Sequence, residues 1–508
     1  MWFTQEPKQN KKIKIFTVLL ILTFMIFMFT ACAKAQVEEN KPTEAKGDAE
    51  EVGETVDDTP VKILPQLDES ANFGGHVFNV LTRFSTSGDW VDWIPRDVAS
   101  EEETGDPIND SVYKRNVYLE DKYNFKIKQI AKENVGTDLK KSIGAGDEMY
   151  DMIESPMREA PGFAQSGYFL DMNEVANLDF TKPWWDQEAY KALSFGHKMY
   201  FMSGDILMVN NDTCSGFVFN KELLKELGLE DPYPLVKAGT WTMDKLYDLC
   251  KDAAKDLNGD GKMNYKDDRY GLIGQRDTLI SFLHSAGEYI CKKDDNDYPF
   301  ITFGSERSYS AMDACFNVMY NEFTHNAHHL EGKVPAIYPV SEEMFMSNRV
   351  LFMWVRLRIV ENLRSMDTDF GILPLPKLDA NQEIYRTDVI SYTGCLMSIP
   401  SIASNPDRTG HILEAIAAES KYTTMPAYYD ITLKTKMARD EDSSDMLDII
   451  FAHRVWDIGE FSDYGNFSWQ LIALSMKNNT NIASLFEKLQ PKIQKDIDKA
   501  IEKYDKLD

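Results

Sequence analysis

From His76 onward the chain alternates short apolar runs with amphipathic stretches, and this alternation limits the possible folds more than any other feature. His76-Val77-Phe78-Asn79-Val80-Leu81 reads as a buried strand. Ser111–Tyr123 sets Val112, Tyr113, Val117, Leu119 and Tyr123 among charges, as an amphipathic helix does, and Phe125–Ile130 returns to a strand pattern. Further strands are predicted at Met149–Ile153, Gly216–Phe219, Val350–Val355, Phe370–Pro374 and Ser391–Ile399, and helices at Lys221–Leu227, Thr242–Ala254, Asp407–Ser420 and Ala483–Tyr504. Thr242 is placed to cap its helix, with Asp244 in the first turn favoured by the helix dipole. Strands and helices trading places in this way predict an α/β architecture with largely parallel sheets. Ligands of such open sheets bind beyond the carboxyl ends of the strands.

The length of 508 residues gives room for two to four globular units. Lys and Arg number 55 against 82 Asp and Glu, a net charge of −27 that argues against a general nucleic-acid or anionic-membrane binder. The N-terminus reads as an address. Lys8, Lys11, Lys12 and Lys14 precede an uncharged apolar run, Ile15–Phe29, that ends at Thr30-Ala31-Cys32, the pattern of a secretory signal. At about 1.5 Å per residue the run reaches roughly 22 Å, short of the ~30 Å of a membrane core; a signal anchor is the alternative. From Ala33 to Glu69 the chain carries 11 acidic and 4 basic side chains with Pro42, Pro60 and Pro65, a composition that stays extended. Residues 1–32 are therefore expected to be a signal and 33–71 an acidic flexible tether. The six cysteines, Cys32 among them, are widely spaced with no C-x-x-C pair, which argues against a disulfide framework or zinc cluster while leaving room for one long-range disulfide.

Phe29-Thr30-Ala31-Cys32 resembles the bacterial lipobox, with Phe where Leu is usual, so lipidation is expected at Cys32. The order of later segments resembles the extracellular solute-binding proteins of ABC importers, in particular the carbohydrate-type group. The matching pieces are Tyr150-Asp151-Met152-Ile153, Ser166-Gly167-Tyr168-Phe169-Leu170-Asp171, Phe219-Asn220-Lys221-Glu222-Leu223-Leu224, Thr240-Trp241-Thr242, Phe345-Met346-Ser347-Asn348-Arg349 and Asp369-Phe370-Gly371-Ile372-Leu373-Pro374. The resemblance implies a two-lobed, periplasmic-binding-protein-like fold of type II with a central ligand cleft that closes by hinge motion. Lobe 1 is expected over 75–205 plus 392–436 and lobe 2 over 206–391 plus 437–508. It further implies capture of a sugar or oligosaccharide and delivery to ABC permease subunits by a monomer, lipid-anchored to the outer face of a bacterial cytoplasmic membrane, with no nucleic-acid partner.

Two local patterns carry chemistry. Asp256-Leu257-Asn258-Gly259-Asp260-Gly261-Lys262-Met263-Asn264-Tyr265-Lys266-Asp267 sets oxygen donors at alternate positions with Gly at the sixth, the pattern of a calcium loop. It resembles the loops of EF-hands and dockerins and predicts a structural Ca2+ held by Asp256, Asn258, Asp260, the Lys262 carbonyl, Asn264 and Asp267. A metal-free Asn-Gly-Asp-Gly turn is the alternative. For the solute, flat apolar faces beside planar polar groups suit a sugar ring. That chemistry singles out Arg83, Asp89, Trp90, Asp92 and Trp93 after the first strand, Trp184, Trp185 and Asp186, and Trp354 with Arg356, with Trp469 and Tyr428-Tyr429-Asp430 behind them; each tryptophan has packing as its alternative role. Trp241 reads as structural. No Gly-x-Ser-x-Gly, His-Glu-x-x-His or phosphate-loop run occurs, so an enzyme is not expected. A secreted glycan-active hydrolase or lyase is the competing function, and peptide or another small solute the competing cargo.

Overall fold

A computed structural model describes residues 62–84, 95–428 and 441–507. The strands are β1 (His76–Arg83), β2 (Phe125–Lys132), β3 (Met152–Pro156), β4 (Ser215–Asn220), β5 (Tyr270–Gly274), β6 (Cys291–Lys293), β7 (Pro299–Ile301), β8 (Thr324–Asn326), β9 (Val350–Arg356), β10 (Phe370–Leu373), β11 (Thr387–Asp388), β12 (Cys395–Ser398) and β13 (Arg454–Val455). Two sheets dominate, one in the order β12-β3-β1-β2 and one in the order β10-β4-β9-β5-β8. Every residue of β3, β4 and β9 is buried, as expected of central strands covered on both faces.

Helices cover the faces because their apolar residues recur at helical spacing and their ends are capped. Helix Pro107–Tyr123 begins at Asp106, whose carboxylate accepts from the Ile108 and Asn109 amides, and stops at Asn124, which takes left-handed geometry at φ 52°. It buries Ile108, Val112, Leu119 and Tyr123. Helix Met243–Ala253 is capped by the Thr242 hydroxyl and buries Met243, Leu246, Leu249, Cys250 and Ala253. It lies so close to β5 that a Cβ at Gly271 would sit 2.0 Å from the Cys250 carbonyl oxygen, so only glycine fits there. Trp241, before this helix, is fully buried and donates its Nε1–H to the Pro374 carbonyl at 3.0 Å.

The sheets are mixed rather than largely parallel. β12 runs antiparallel to β3, and β4 antiparallel to both β9 and β10. Both exceptions follow a passage of chain between the sheets. Cys214 pairs with Val389 where two passages meet; Ser215 then enters β4 opposite Arg356, the last residue of β9, and Cys395 enters β12 opposite Pro156, the last residue of β3. A strand that starts from the gap must run against neighbours that end there. β11 and β13 pair in parallel beside these passages. Here the His284 ring is buried between Asp388 (2.6 Å) and Asp457 (3.2 Å). Burial alone would depress its pKa, but the two carboxylates raise it to about 10 and keep it charged.

The C-terminal helix Ile482–Tyr504 makes contacts at both of its ends. Phe486 packs on Phe303, just after β7, whereas Tyr504 stacks on Phe195 at 3.9 Å and Lys503 reaches Gln165. Cys214, Cys250, Cys291, Cys315 and Cys395 are free and buried. Cys32 and the tether up to Val61 lie outside the described residues.

Candidate functional site

The carboxyl ends of the parallel strands from both sheets converge on a set of arginines and carboxylates. β1 ends at Arg83, β3 is followed by Arg158, β5 by Arg276 and Asp277, and β9 ends at Arg356. Arg158 bonds Glu460 at 2.9 Å and pairs with Asp463 at 3.0 Å, both from the C-terminal segment. Its guanidinium lies 4.6 Å from the Tyr392 ring centre and 5.9 Å from that of Trp469. From the second sheet, Arg276 lies 5.4 Å from the same Trp469 ring, and Tyr392 meets Trp469 edge-on at 5.0 Å. Trp469 is therefore held by one guanidinium from each sheet, by cation–π attraction, while remaining partly exposed.

The acids here are tuned by burial. Glu460 is pushed up to about 7 by desolvation, against the opposing pull of Arg158. It also accepts from Ser391 at 2.6 Å. Desolvation likewise raises Asp277 and Asp463. The Tyr392 hydroxyl is buried and has no hydrogen-bond partner among the described residues. Arg356 lies 5.7 Å from the Tyr338 ring centre. A second ionic knot ties the two sides together. Arg96 grips Asp212 at 3.0 Å and approaches Glu361 at 3.6 Å, while Arg358 reaches the same two carboxylates at 3.5 and 3.7 Å. Tyr428 donates to Asp212 at 3.0 Å. Arginines and carboxylates from both sheets and from the C-terminal segment thus pair where the strands end.

The residues singled out in the sequence meet different fates. Asp89, Trp90, Asp92 and Trp93 lie outside the described residues, as do Tyr429 and Asp430. Arg83 lies at the gap, its Nη1 3.4 Å from the Tyr392 carbonyl. Trp184 and Trp185 are 0% and 2% exposed, and both indole N–H groups donate to Glu414, at 3.1 and 3.0 Å. Asp186 caps helix Gln187–Leu193 and pairs with Arg454 at 2.9 Å. All three are built into the protein interior and not into the gap, a correction to their expected ligand contact. Trp354 is 2% exposed within β9, also away from solvent, with its Nε1–H lacking a partner among the described residues. His325 and His328 belong to β8 and a short helical turn, and burial lowers them to about 4 and 3. The sequence reading passed over Arg158, Arg276, Glu460 and Asp463. A strand followed within two residues by arginine, as in Ile153-Glu154-Ser155-Pro156-Met157-Arg158 and Leu272-Ile273-Gly274-Gln275-Arg276, was the available signal.

The acidic loop folds on its own side chains. Asp256 accepts from the Gly259 and Gly261 amides at 2.7 and 2.8 Å, Asn258 from Asp260, Asp260 from Lys262, and Asn264 from Lys266 and Asp267. Gly259 and Gly261 take φ of +74° and +78°, the reason glycine is needed at both. Asp267 is exposed, and its neighbour Asp268 is the buried carboxylate that closes the loop, on the Leu257 and Asn264 amides at 2.9 and 2.8 Å. No three His, Cys, Asp or Glu side chains among the described residues form a metal-binding group. Calcium there would need the exposed Asp260 and Asp267 to close on Asp256.

Residues 99–317 match the family model of bacterial extracellular solute-binding proteins. A search of curated proteins returns no match. The galacto-N-biose/lacto-N-biose I-binding protein of an ABC transporter from Bifidobacterium longum, solved with lacto-N-biose, is similar at a TM-score of 0.55 and 12% identity, over 84% of this chain and 98% of that one. M. tuberculosis UspC is similar at 0.54 and 11%, over 83% and 100%. A cyclo/maltodextrin-binding protein complexed with maltotetraose is similar at 0.51 and 13%, over 84% and 96%. The chain has the mixed α/β, periplasmic-binding-protein-like fold of the solute-binding proteins, of the maltose-binding type.

Proposed function

We propose that the chain captures a sugar or oligosaccharide in the gap between its two sheets and delivers it to an ABC permease. The observation that carries this reading is the partly exposed Trp469, flanked by Arg158 and Arg276 and by acceptors on Glu460, Asp463 and Asp277. An aromatic face takes the C–H side of a sugar ring while guanidinium and carboxylate groups take its hydroxyls. The similar structures supply independent support, since two of them were solved with lacto-N-biose and maltotetraose bound. Groups from both sheets contribute, so a ligand that touches both favours the closed arrangement and shifts the open–closed equilibrium by its differential affinity. Hydrolysis forms no part of this reading.

The same proposal places the protein outside the cell as a monomer, with Cys32 carrying lipid and the residues ahead of Lys62 as the leash; from Lys62 on the chain packs on the folded part, where Lys62 pairs with Glu419 at 3.1 Å and Leu67 and Ala71 meet the core. No described helix is long and apolar enough to cross a membrane. The Asp256–Asp267 loop is proposed to take a structural Ca2+.

The test is thermal unfolding of the full-length protein, in mild detergent, across a panel of mono- and oligosaccharides, each mixture then assayed for breakdown. A ligand at 100 times its Kd adds about 2.7 kcal/mol, a shift of a few degrees. A shift with one sugar class that leaves the sugar intact is expected. Shorter products would replace the binding protein with a glycan hydrolase or lyase, and no shift with any sugar would turn the search to peptides and other solutes.

A further inference from the structure

A chamber of about 340 Å3 lies beside the chain passages and shares no lining residue with the gap described above. One wall is helix Gln187–Leu193, which offers Lys191 and the chamber's one carboxylate, Glu188, and another is the stretch around β6, which offers Tyr289, Lys292 and Lys293. Arg386 immediately precedes β11 and Trp456 immediately follows β13, and the parallel pairing of these two strands brings both side chains to the chamber. Arg454 completes the lining used here.

Three of the five cations already have acids. Lys191 pairs with Glu188 at 2.8 Å, Lys293 with Asp297, and Arg454 with Asp186 at 2.9 Å. Arg386 and Lys292 have none among the described residues. Arg386 bonds only the Tyr289 hydroxyl, at a long 3.4 Å, and Lys292 lies 4.8 Å from the Tyr289 ring centre. Trp456 is 4% exposed, and its Nε1–H is buried with no hydrogen-bond partner among the described residues. A buried N–H left unmatched is costly, and such groups in a folded protein call for an explanation. A guanidinium fork, an ammonium and an indole N–H lining one cavity offer only donors and positive charge. A neutral hydroxyl compound could satisfy the indole but would leave both cations without countercharge. An oxyanion satisfies all three, with the planar fork suited to carboxylate or phosphate.

We propose that this chamber is a second binding site, separate from the sugar gap, for the carboxylate or phosphate group of a small molecule. The site draws on both sheets' sides and on the passages between them, so its ligand sits at the hinge.

Isothermal titration calorimetry of the full-length protein in mild detergent tests this, with inorganic phosphate and citrate as probes and ionic strength held constant with chloride. At least one probe is expected to bind with a stoichiometry of one, and the tighter of the two identifies the anion class. Arg386→Gln is expected to weaken it at least tenfold. Trp456→Phe, which removes the N–H and keeps most of the ring bulk, should weaken it at least threefold. Lys292→Gln, at an exposed side chain remote from core packing, should also weaken it at least threefold, which guards against a variant that fails to fold. Binding of neither anion by the unsubstituted protein overturns the proposal, as does equal binding by all three variants. Sugar binding is read separately, so the chamber and the sugar gap stand or fall independently.

Discussion

Two tryptophan clusters in this protein use similar residues to opposite ends. Trp184 and Trp185 point their N–H groups at one carboxylate, Glu414, and are sealed from water. Trp469 instead presents its ring to Arg158 and Arg276 and stays partly exposed. In the first cluster two donors meet two acceptor oxygens, and nothing remains to offer a ligand. In the second, cations hold the ring in place without using its N–H or covering it. The difference teaches that a tryptophan beside an acid is no guide to a binding site until its polar edge has been accounted for.

The largest expected effect lies in the sealed cluster. Trp185→Ala empties a buried indole site and leaves Glu414 short of a donor; a loss of about 3–5 kcal/mol is expected in urea unfolding. Sugar affinity of the folded fraction should be unchanged. A loss below about 1 kcal/mol would break the contrast by placing Trp185 outside the core.

Glu414→Gln sharpens the point. A glutamine offers one acceptor oxygen where two indoles need two, so one buried N–H goes unmatched, at about 1–3 kcal/mol. The same variant carries a pH signature. Burial pushes Glu414 up to about 7 from an ordinary 4.5. The native carboxyl therefore holds a proton that the unfolded one has lost between those values, and stability falls as pH rises from about 4.5 to about 7. Glu460, also raised to about 7, contributes the same sign from the other cluster. Unfolding midpoints measured from pH 4.5 to 7 should decline less steeply in Glu414→Gln than in the unsubstituted protein. Equal slopes would remove Glu414 from the account.

The smallest effect concerns the acidic loop. Calcium is expected to raise the melting temperature by a degree or two and a chelator to reverse it, with the response lost in Asp256→Asn. An identical melting curve with calcium and with chelator would leave the loop as a turn held by its own hydrogen bonds.

Much of the fold was legible because it rests on local patterns. β1, β4, β9 and β10 are apolar runs, β2 alternates apolar with polar residues, and Thr242 marks its helix by capping chemistry. β5 was missed because Tyr270-Gly271-Leu272-Ile273-Gly274 carries two glycines, and β8 because it has only three residues, all of them polar. The antiparallel direction of β4 and β12 follows from where the chain crosses between sheets, which no local window records. The site was less legible for the same reason. Glu414 lies 230 positions from Trp184, so nothing near the two tryptophans announces that their N–H groups are taken. Arg158 meets Glu460 across 302 positions. The sequence could nominate arginines and tryptophans, but only the meeting of strand ends decides which of them face the gap.

The most direct test of the central claim is equilibrium binding of the best sugar from the panel to the unsubstituted protein and to Trp469→Ala. The account predicts a loss of affinity of at least tenfold, about 1.4 kcal/mol or more, in a variant that still unfolds cooperatively. Equal affinity in the two proteins would contradict it and move the sugar site away from Trp469.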